Sequence, residues 1–279
     1  MGSLKIGDYF KETYESEDFK YTKPKQNVVI RLDGVAFHTY TKAFKKPFDM
    51  QLSEAMVETA KYLCENIHGC VMAYTQSDEI SLLINDFSSK KTQPWFGYKR
   101  DKIISVATSM CTVFFNDFIK SHADSIQETR LVRPAFFDAR ILVVKEDDIP
   151  GYFKWRLMDA LRNSKLSFGT GYLSHRQLHG MNTSEIVDRI KEEFGFAWID
   201  LPQIHKQGTF IIKDSVLKNM YKEHYDENNT KHVMTDDGPK VRRSVFMVDY
   251  MPDELIEGNP DVQTYLDKCK ILYRNPYIN

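Results

Sequence analysis

The chain has 279 residues, 42% hydrophobic and 28% charged, the make-up of a globular protein with enough apolar mass for one large domain or two smaller ones. Its 38 basic and 39 acidic residues cancel to a formal net charge of -1, which excludes a protein-wide positive field, so any contact with nucleic acid must use a local patch. The 4 cysteines have no metal-type spacing, no run approaches the roughly 18 consecutive apolar residues of a membrane span, and the N-terminus lacks a basic-then-apolar signal pattern; a reducing, cytoplasmic setting without disulfides or a membrane is expected.

Residues 27–32 (NVVIRL) are rich in β-branched residues and read as a buried strand that must turn at Asp33-Gly34. From Leu52 to Ile67 apolar residues recur at helical spacing, with Asp49 or Ser53 available as a cap. Two short runs, Cys70–Tyr74 and Ile80–Ile84, flank a polar Thr75–Glu79 segment in the pattern of a β-hairpin with Asp78 at its tip. Residues 101–119 form a second helical pattern, with Lys99, Arg100 and Lys102 at its start, where basic groups oppose the helix dipole and an anion would relieve them. Residues 135–144 (AFFDARILVV) read as a strand. The order β-α-β-β-α-β is ferredoxin-like and predicts an α+β fold: an antiparallel sheet with helices on one face. Further on, the pattern predicts helices at 150–163 and 184–194, strands at 207–213 and 243–250, and a loop over the polar segment 222–240. The last 30 residues carry no clear pattern.

In a ferredoxin-like order the first strand and the hairpin are central neighbours, which would bring Asp33 and Asp78 together. Two carboxylates so placed repel unless divalent cations lie between them, and hard oxygen donors select Mg²⁺ or Mn²⁺. Gly34 lets its own carbonyl approach the same ions. Two such ions about 4 Å apart are suited to nucleotidyl transfer. Taken singly, an Asp-Gly after a strand and a Ser-Asp-Glu at a hairpin tip are also common turns, and ferredoxin-like sheets serve as RNA-binding and small-ligand modules as well. His175 and His179 stand at zinc-like spacing but have no third ligand in view, and Phe114, Phe115 and Phe118 fit a helix core better than a stacking platform. Arg130, Arg133, Lys154, Arg156, Arg242 and Arg243 are candidates for an RNA-facing surface.

The segments RLDGVAFHTYTKAFKKPFD (31–49) and AYTQSDEISLLI (73–84), followed by KRDKIISVATS (99–109), FFDARI (136–141) and YFKWRLMDALRNS (152–164), resemble the tRNA-His guanylyltransferase family in order and spacing. The resemblance implies a polymerase- or cyclase-like palm over residues 1–145, with residues 146–279 as a C-terminal α/β extension that packs on it and contacts RNA. It implies metal ligation by Asp33, the Gly34 carbonyl and Asp78, with Ser77 and Glu79 as catalytic neighbours. Val35, Ala36, Phe37 and His38 match a triphosphate-holding loop, and Lys46, Asp49, Lys99 and Lys102 match the nucleotide site. Trp155, Arg156, Asp159, Asn163 and Lys206 match positions read as RNA-binding. Where the guanylyltransferases proper carry His-Ile-Asn-Asn, this chain has Leu161-Arg162-Asn163-Ser164. The resemblance is therefore to the family's guanylyltransferase-like branch, which implies template-dependent 3′-to-5′ addition of nucleotides to a tRNA 5′ end, with ATP and GTP as substrates, Mg²⁺ as cofactor and a homotetramer as the assembly. The alternatives are addition of the 5′ G to tRNA-His, a nucleotide cyclase, or a non-catalytic RNA-binding module.

Overall fold

The structure, a computed structural model, describes residues 3–10, 13, 24–122, 133–219, 223–225, 231–233, 240–256 and 259–277, with the backbone alone for 3–5, 215–219, 223–225, 231–233 and 240–244. In chain order the elements are α1 (Ser3–Phe10), β1 (Asn27–Gly34), α2 (Phe37–Tyr40), α3 (Met50–Asn66), β2 (Cys70–Gln76), β3 (Glu79–Ile84), α4 (Arg100–Ser121), β4 (Phe137–Val144), α5 (Ile149–Tyr172), α6 (His175–Leu178), α7 (Thr183–Phe194), α8 (Gln203–Lys206), β5 (Thr209–Asn219), β6 (Glu223–Tyr225), β7 (Lys231–Val233), β8 (Lys240–Asp249), α9 (Asp253–Ile256) and α10 (Val262–Lys268).

Six strands form one antiparallel sheet in the order β4-β1-β3-β2-β5-β8. Its first four strands have the order expected of β-α-β-β-α-β, with β1 and β3 in the centre, and the C-terminal half adds β5 and β8 beside β2. Alternation along β1 sends Val28, Ile30 and Leu32 to one face, where α3 and α4 cover them with Ala55, Met56, Ala60, Leu63, Ile103, Ala107 and Phe115. Val29 faces the other way, toward Ile149, Tyr152, Phe153 and Leu157 of α5, Phe10 of α1 and Leu266 of α10. Burial on both faces explains why β1 reads as a continuous apolar run instead of an alternating one. The palm's own two helices thus lie on one face, and helices from the two ends of the chain close the second.

Asp49 caps α3 as expected, its Oδ1 accepting the Leu52 amide at 3.1 Å. By length and composition alone α4 could cross a membrane, with a mean hydropathy of 1.3 over its most apolar window. It lies across the sheet instead, with Ile103, Ala107, Cys111, Phe115 and Ile119 buried.

Three expectations need correction. The helix expected at 150–163 runs on to Tyr172, because its late glycines are contact points: a Cβ on Gly169 would stand 2.7 Å from Ile186 of α7, and one on Gly171 would stand 2.9 Å from Pro47. Close packing outweighs the helix penalty of glycine there. The expected loop 222–240 contains a short antiparallel pair, β6 with β7, so polarity without periodicity did not mean absence of strands; the rest of that segment up to Pro239 lies outside the described residues. Strands β5 and β8 are longer than the expected 207–213 and 243–250, pairing from Phe210↔Asp249 to Asn219↔Lys240. Their distal halves, 214–219 and 240–244, mix charged and apolar residues and lack the apolar run that marks the proximal halves in sequence.

The final residues are fastened to the sheet's far end, where Asn27 Nδ2 donates to the Tyr273 carbonyl at 2.6 Å and Asn85 Nδ2 to that of Leu272 at 2.6 Å. Phe115 is fully buried between Phe37, 5.7 Å away, and Phe137, 5.3 Å away. Phe115→Ala should therefore cost about 3–5 kcal/mol of stability, read as a lower urea midpoint with an unchanged slope; a loss under 1 kcal/mol would mean that this face repacks freely.

Candidate active site

Asp33 lies at the end of β1, paired in register with Glu79 on β3 and Asp138 on β4. The β2–β3 hairpin turns at Ser77-Asp78, with Ser77 in the left-handed region at φ 51. The Gly34 amide donates to the Asp78 carbonyl at 3.1 Å, which fixes the Asp33 strand end to the hairpin tip. An added Cβ on Gly34 would overlap the Phe37 ring, so glycine is required for that ring to fill the core beneath the site.

The electrostatics are those of carboxylates short of counter-charge. Burial raises the Asp33 pKa, and the charge of Asp138 raises it further, against Arg31, Arg140 and Arg156. Asp78 is raised by burial and then by Asp33, against a 3.0 Å hydrogen bond from Ser77 Oγ. Oxygen-only donors whose ionised state is costly fit a hard divalent cation. Among the described residues no group of three His, Cys, Asp or Glu side chains could hold an ion unaided. Water or substrate oxygens would have to complete the shell, as Mg²⁺ commonly requires. His175 and His179 are exposed and join no such group.

Glu79, opposite Asp33, is held by an arginine. Its side chain is buried on the α5 side of the sheet, where Arg156 Nε donates to its Oε1 at 2.7 Å and Ser81 Oγ at 3.3 Å. Burial raises its pKa, with Arg156 the main opposing charge. Arg156, only 6% exposed, also reaches Asp159 Oδ2 at 3.1 Å and lies 4.6 Å from the Trp155 ring centre. Trp155 stacks on Phe10 at 5.7 Å, and Lys206 is buried with Nζ donating to the Ile199 carbonyl at 2.7 Å. Arg156 and Lys206, expected from the family motif to meet RNA, thus spend their hydrogen bonds inside the fold.

A cleft of about 180 Å³ opens beside the hairpin tip. Its walls are the 41–53 segment with Lys46 and Asp49, Gln76 and Ser77 of the hairpin, Asn163, Ser164 and Ser167 of α5, and His205 and Gly208. Asp49 is largely engaged already, taking the Lys45 amide at 2.9 Å besides its capping bond. His205 stacks on Phe48 at 4.9 Å; burial pushes its pKa down, and its Nε2 has no hydrogen-bond partner among the described residues. Of the Val35–His38 loop, the Val35 amide is taken by the Phe136 carbonyl at 2.8 Å, and Ala36 is left-handed at φ 55 before the single turn of α2. Lys99 and Lys102 are exposed at the start of α4, with Lys102 Nζ 4.7 Å from the Phe96 ring centre.

Asp138 was not singled out by sequence reasoning and became visible through strand register, and the 203–208 turn brings His205 to the cleft. Arg133 is exposed and Lys154 half-buried, whereas Arg130 and the side chains of Arg242 and Arg243 lie outside the described residues.

A carboxyl whose pKa is raised by folding keeps its proton to higher pH in the native state, so its contribution to stability is lost as pH rises from the unfolded value through the folded one. Asp78→Asn should accordingly raise the melting temperature of the metal-free protein at pH 7 by roughly 1–4 °C, with the gain shrinking on acidification. A fall in melting temperature would show that Asp78 is stabilised as an anion.

The tRNAHis guanylyltransferase family (Thg1) matches residues 7–145. A bacterial tRNA(His) guanylyltransferase (Thg1)-like protein solved in complex with ATP superposes with a TM-score of 0.71 at 32% identity, over 96% of this chain and 100% of that one. A structure of such a protein in complex with GTP gives a TM-score of 0.65 at 32% identity, over 95% and 98%. The tRNA(His) guanylyltransferase of Debaryomyces hansenii is 27% identical over 221 residues, 74% of this chain and 80% of that protein. Similarity of sequence and fold over nearly the whole chain, on a palm-like sheet, decides the matter: the chain belongs to the tRNA-His guanylyltransferase family and is a nucleotidyltransferase.

Proposed function

We propose that this enzyme extends the 5′ end of tRNA in the 3′-to-5′ direction, directed by the opposite strand of the acceptor stem, and thereby repairs truncated tRNAs. The observation that carries this reading is the convergence of Asp33 and Asp78 at one end of the sheet, beside a cleft lined by Lys46 and Asn163. The ATP- and GTP-bound relatives support nucleoside triphosphates as substrates. Absence of the family's His at Leu161, together with 32% identity to Thg1-like proteins, favours repair over dedicated addition of G to tRNA-His.

In the first stage the RNA 5′-monophosphate attacks the α-phosphate of ATP and pyrophosphate leaves, giving an adenylylated 5′ end. In the second the 3′-hydroxyl of an incoming nucleotide attacks that 5′ phosphate and AMP leaves. Asp33, the Gly34 carbonyl and Asp78 would hold Mg²⁺, which when bound supplies Lewis acidity and neutralises phosphate charge. Lys46, Lys99 and Lys102 balance phosphate charge, and the amides of the Ala36–His38 turn, which have no intrahelical acceptors, cradle it. Ser77 orients Asp78 through its 3.0 Å hydrogen bond. Pairing with the template chooses the nucleotide, so the protein needs to recognise only helix shape and phosphates, a task assigned here to the 146–279 half.

The enzyme works in the cytoplasm as a homo-oligomer, a tetramer by family likeness. The outer side of α4 supports association: Val113 is 69% exposed beside Met110 and the Tyr62–Phe114 stack. Val113→Glu should shift the molecular mass measured by light scattering toward smaller species without lowering the melting temperature; an unchanged mass would place the interface elsewhere.

With Mg²⁺, ATP and the four NTPs, wild-type enzyme should add the template-matched residue to a 5′-monophosphorylated tRNA lacking its first nucleotide. Asp33→Ala and Asp78→Ala should abolish both stages, whereas Lys46→Ala should chiefly raise the KM for nucleotide. Extension confined to tRNA-His would establish the guanylyltransferase role instead, and formation of cyclic nucleotide without RNA would make the protein a cyclase.

A further inference from the structure

Helix α5 carries a continuous chain of polar contacts from the catalytic hairpin to the cleft. Glu79, next to Asp78, is held by Arg156 at 2.7 Å; Arg156 holds Asp159 at 3.1 Å; and Asp159 accepts Asn163 Nδ2 at 3.4 Å. Arg156 and Asn163 are seven residues apart, two turns and about 10 Å along one helix face. An ionised carboxylate can only accept, so the Asn163 amide is oriented: Nδ2 is turned to Asp159, and Oδ1 is left as an acceptor on the residue that lines the cleft. No hydrogen bond to Asn163 Oδ1 occurs among the described residues.

We propose that Asn163 Oδ1 accepts a hydrogen bond from the nucleoside part of a bound nucleoside triphosphate, a ribose hydroxyl or a base amine, and that Glu79, Arg156 and Asp159 are positioning residues tying this contact to the Asp78 turn. This inference rests on the nucleotidyltransferase reading and departs from it in one respect: Arg156, Asp159 and Asn163 serve the nucleotide and not the RNA. The chain's burial sets its direction. Arg156 cannot turn outward without leaving Glu79 charged and unpaired in the sheet, so motion of Asn163 and motion of the hairpin are mechanically linked. Nucleotide in the cleft would thereby steady the turn that carries Asp78.

The test uses full-length protein and the variants Asn163→Ala, Asp159→Asn and the double variant. Arg156→Lys keeps the charge but loses the forked geometry. Melting temperatures come first, then dissociation constants for ATP, inorganic tripolyphosphate and tRNA, and for Mn²⁺ with and without a non-hydrolysable ATP analogue. Each single variant should weaken ATP about tenfold, leave tripolyphosphate and tRNA within about twofold, and reduce the gain in Mn²⁺ affinity that the analogue confers. The double variant should be no worse than the weaker-binding single variant, because both remove one unit. Loss of tRNA affinity at unchanged ATP affinity, or full additivity in the double variant, would overturn the proposal. Wild-type protein that binds no ATP would bring down the nucleotidyltransferase reading with it; ATP binding that the variants leave intact would remove this inference alone.

Discussion

The ion pair between Glu79 and Arg156 fixes more of this molecule than any other single interaction. A carboxylate buried beneath a sheet is tolerable only when its charge is answered nearby, and the answer comes from a helix far along the chain. Removing one partner of such a pair typically costs about 3–5 kcal/mol, so the docking of α5 on the palm is specified in position as well as driven by its apolar face. The pair has stacked support: Trp155 lies between Phe10 of α1 and the guanidinium of Arg156. The N-terminal helix, the C-terminal half and the β2–β3 hairpin are thus joined at one buried point, one residue from Asp78.

On the other side of that residue the logic is reversed. Among the described residues neither Asp33 nor Asp78 has an ion-pair partner of its own: Asp138 adds like charge to Asp33, which Arg31, Arg140 and Arg156 offset only in part, and Asp78 has only hydrogen bonds set against burial and the charge of Asp33. The sheet satisfies charge where α5 docks and leaves it partly unsatisfied at the Asp33–Asp78 end. The left-handed backbone at Ser77 belongs to the same pattern, a local cost carried by the hydrogen-bonded strands on either side.

The palm was legible in the sequence because its signals are local. β-branched runs, the 3.6-residue period of α3 and α4, and the Asp-Gly and Ser-Asp-Glu turns each fall within a dozen residues, and their order alone sets the strand arrangement. The two carboxylates followed from that order. What was not legible depends on contacts between distant segments: α5 beyond Asn163, where Gly169 and Gly171 pack against Ile186 and Pro47; the inward turn of Arg156 and Lys206, since sequence cannot tell a buried cation from an RNA-facing one; and the place of His205 in the cleft wall, which depends on how the 203–208 turn packs.

The same geometry bears on the point where this chain departs from the guanylyltransferases proper. Along α5, Asn163 and Ser164 face the cleft beside the hairpin tip, but Leu161 and Arg162 line a different cavity, of about 670 Å³, with Met158, Lys165 and Trp198. Leu161 and Arg162 stand where the relatives have His and Ile, on the cavity side of the helix, whereas on the cleft side Asn163 keeps the family's residue and Ser164 replaces its second Asn. The two replacements on the cavity side are thus separated from Asn163, which stays tied to the sheet through Asp159, Arg156 and Glu79.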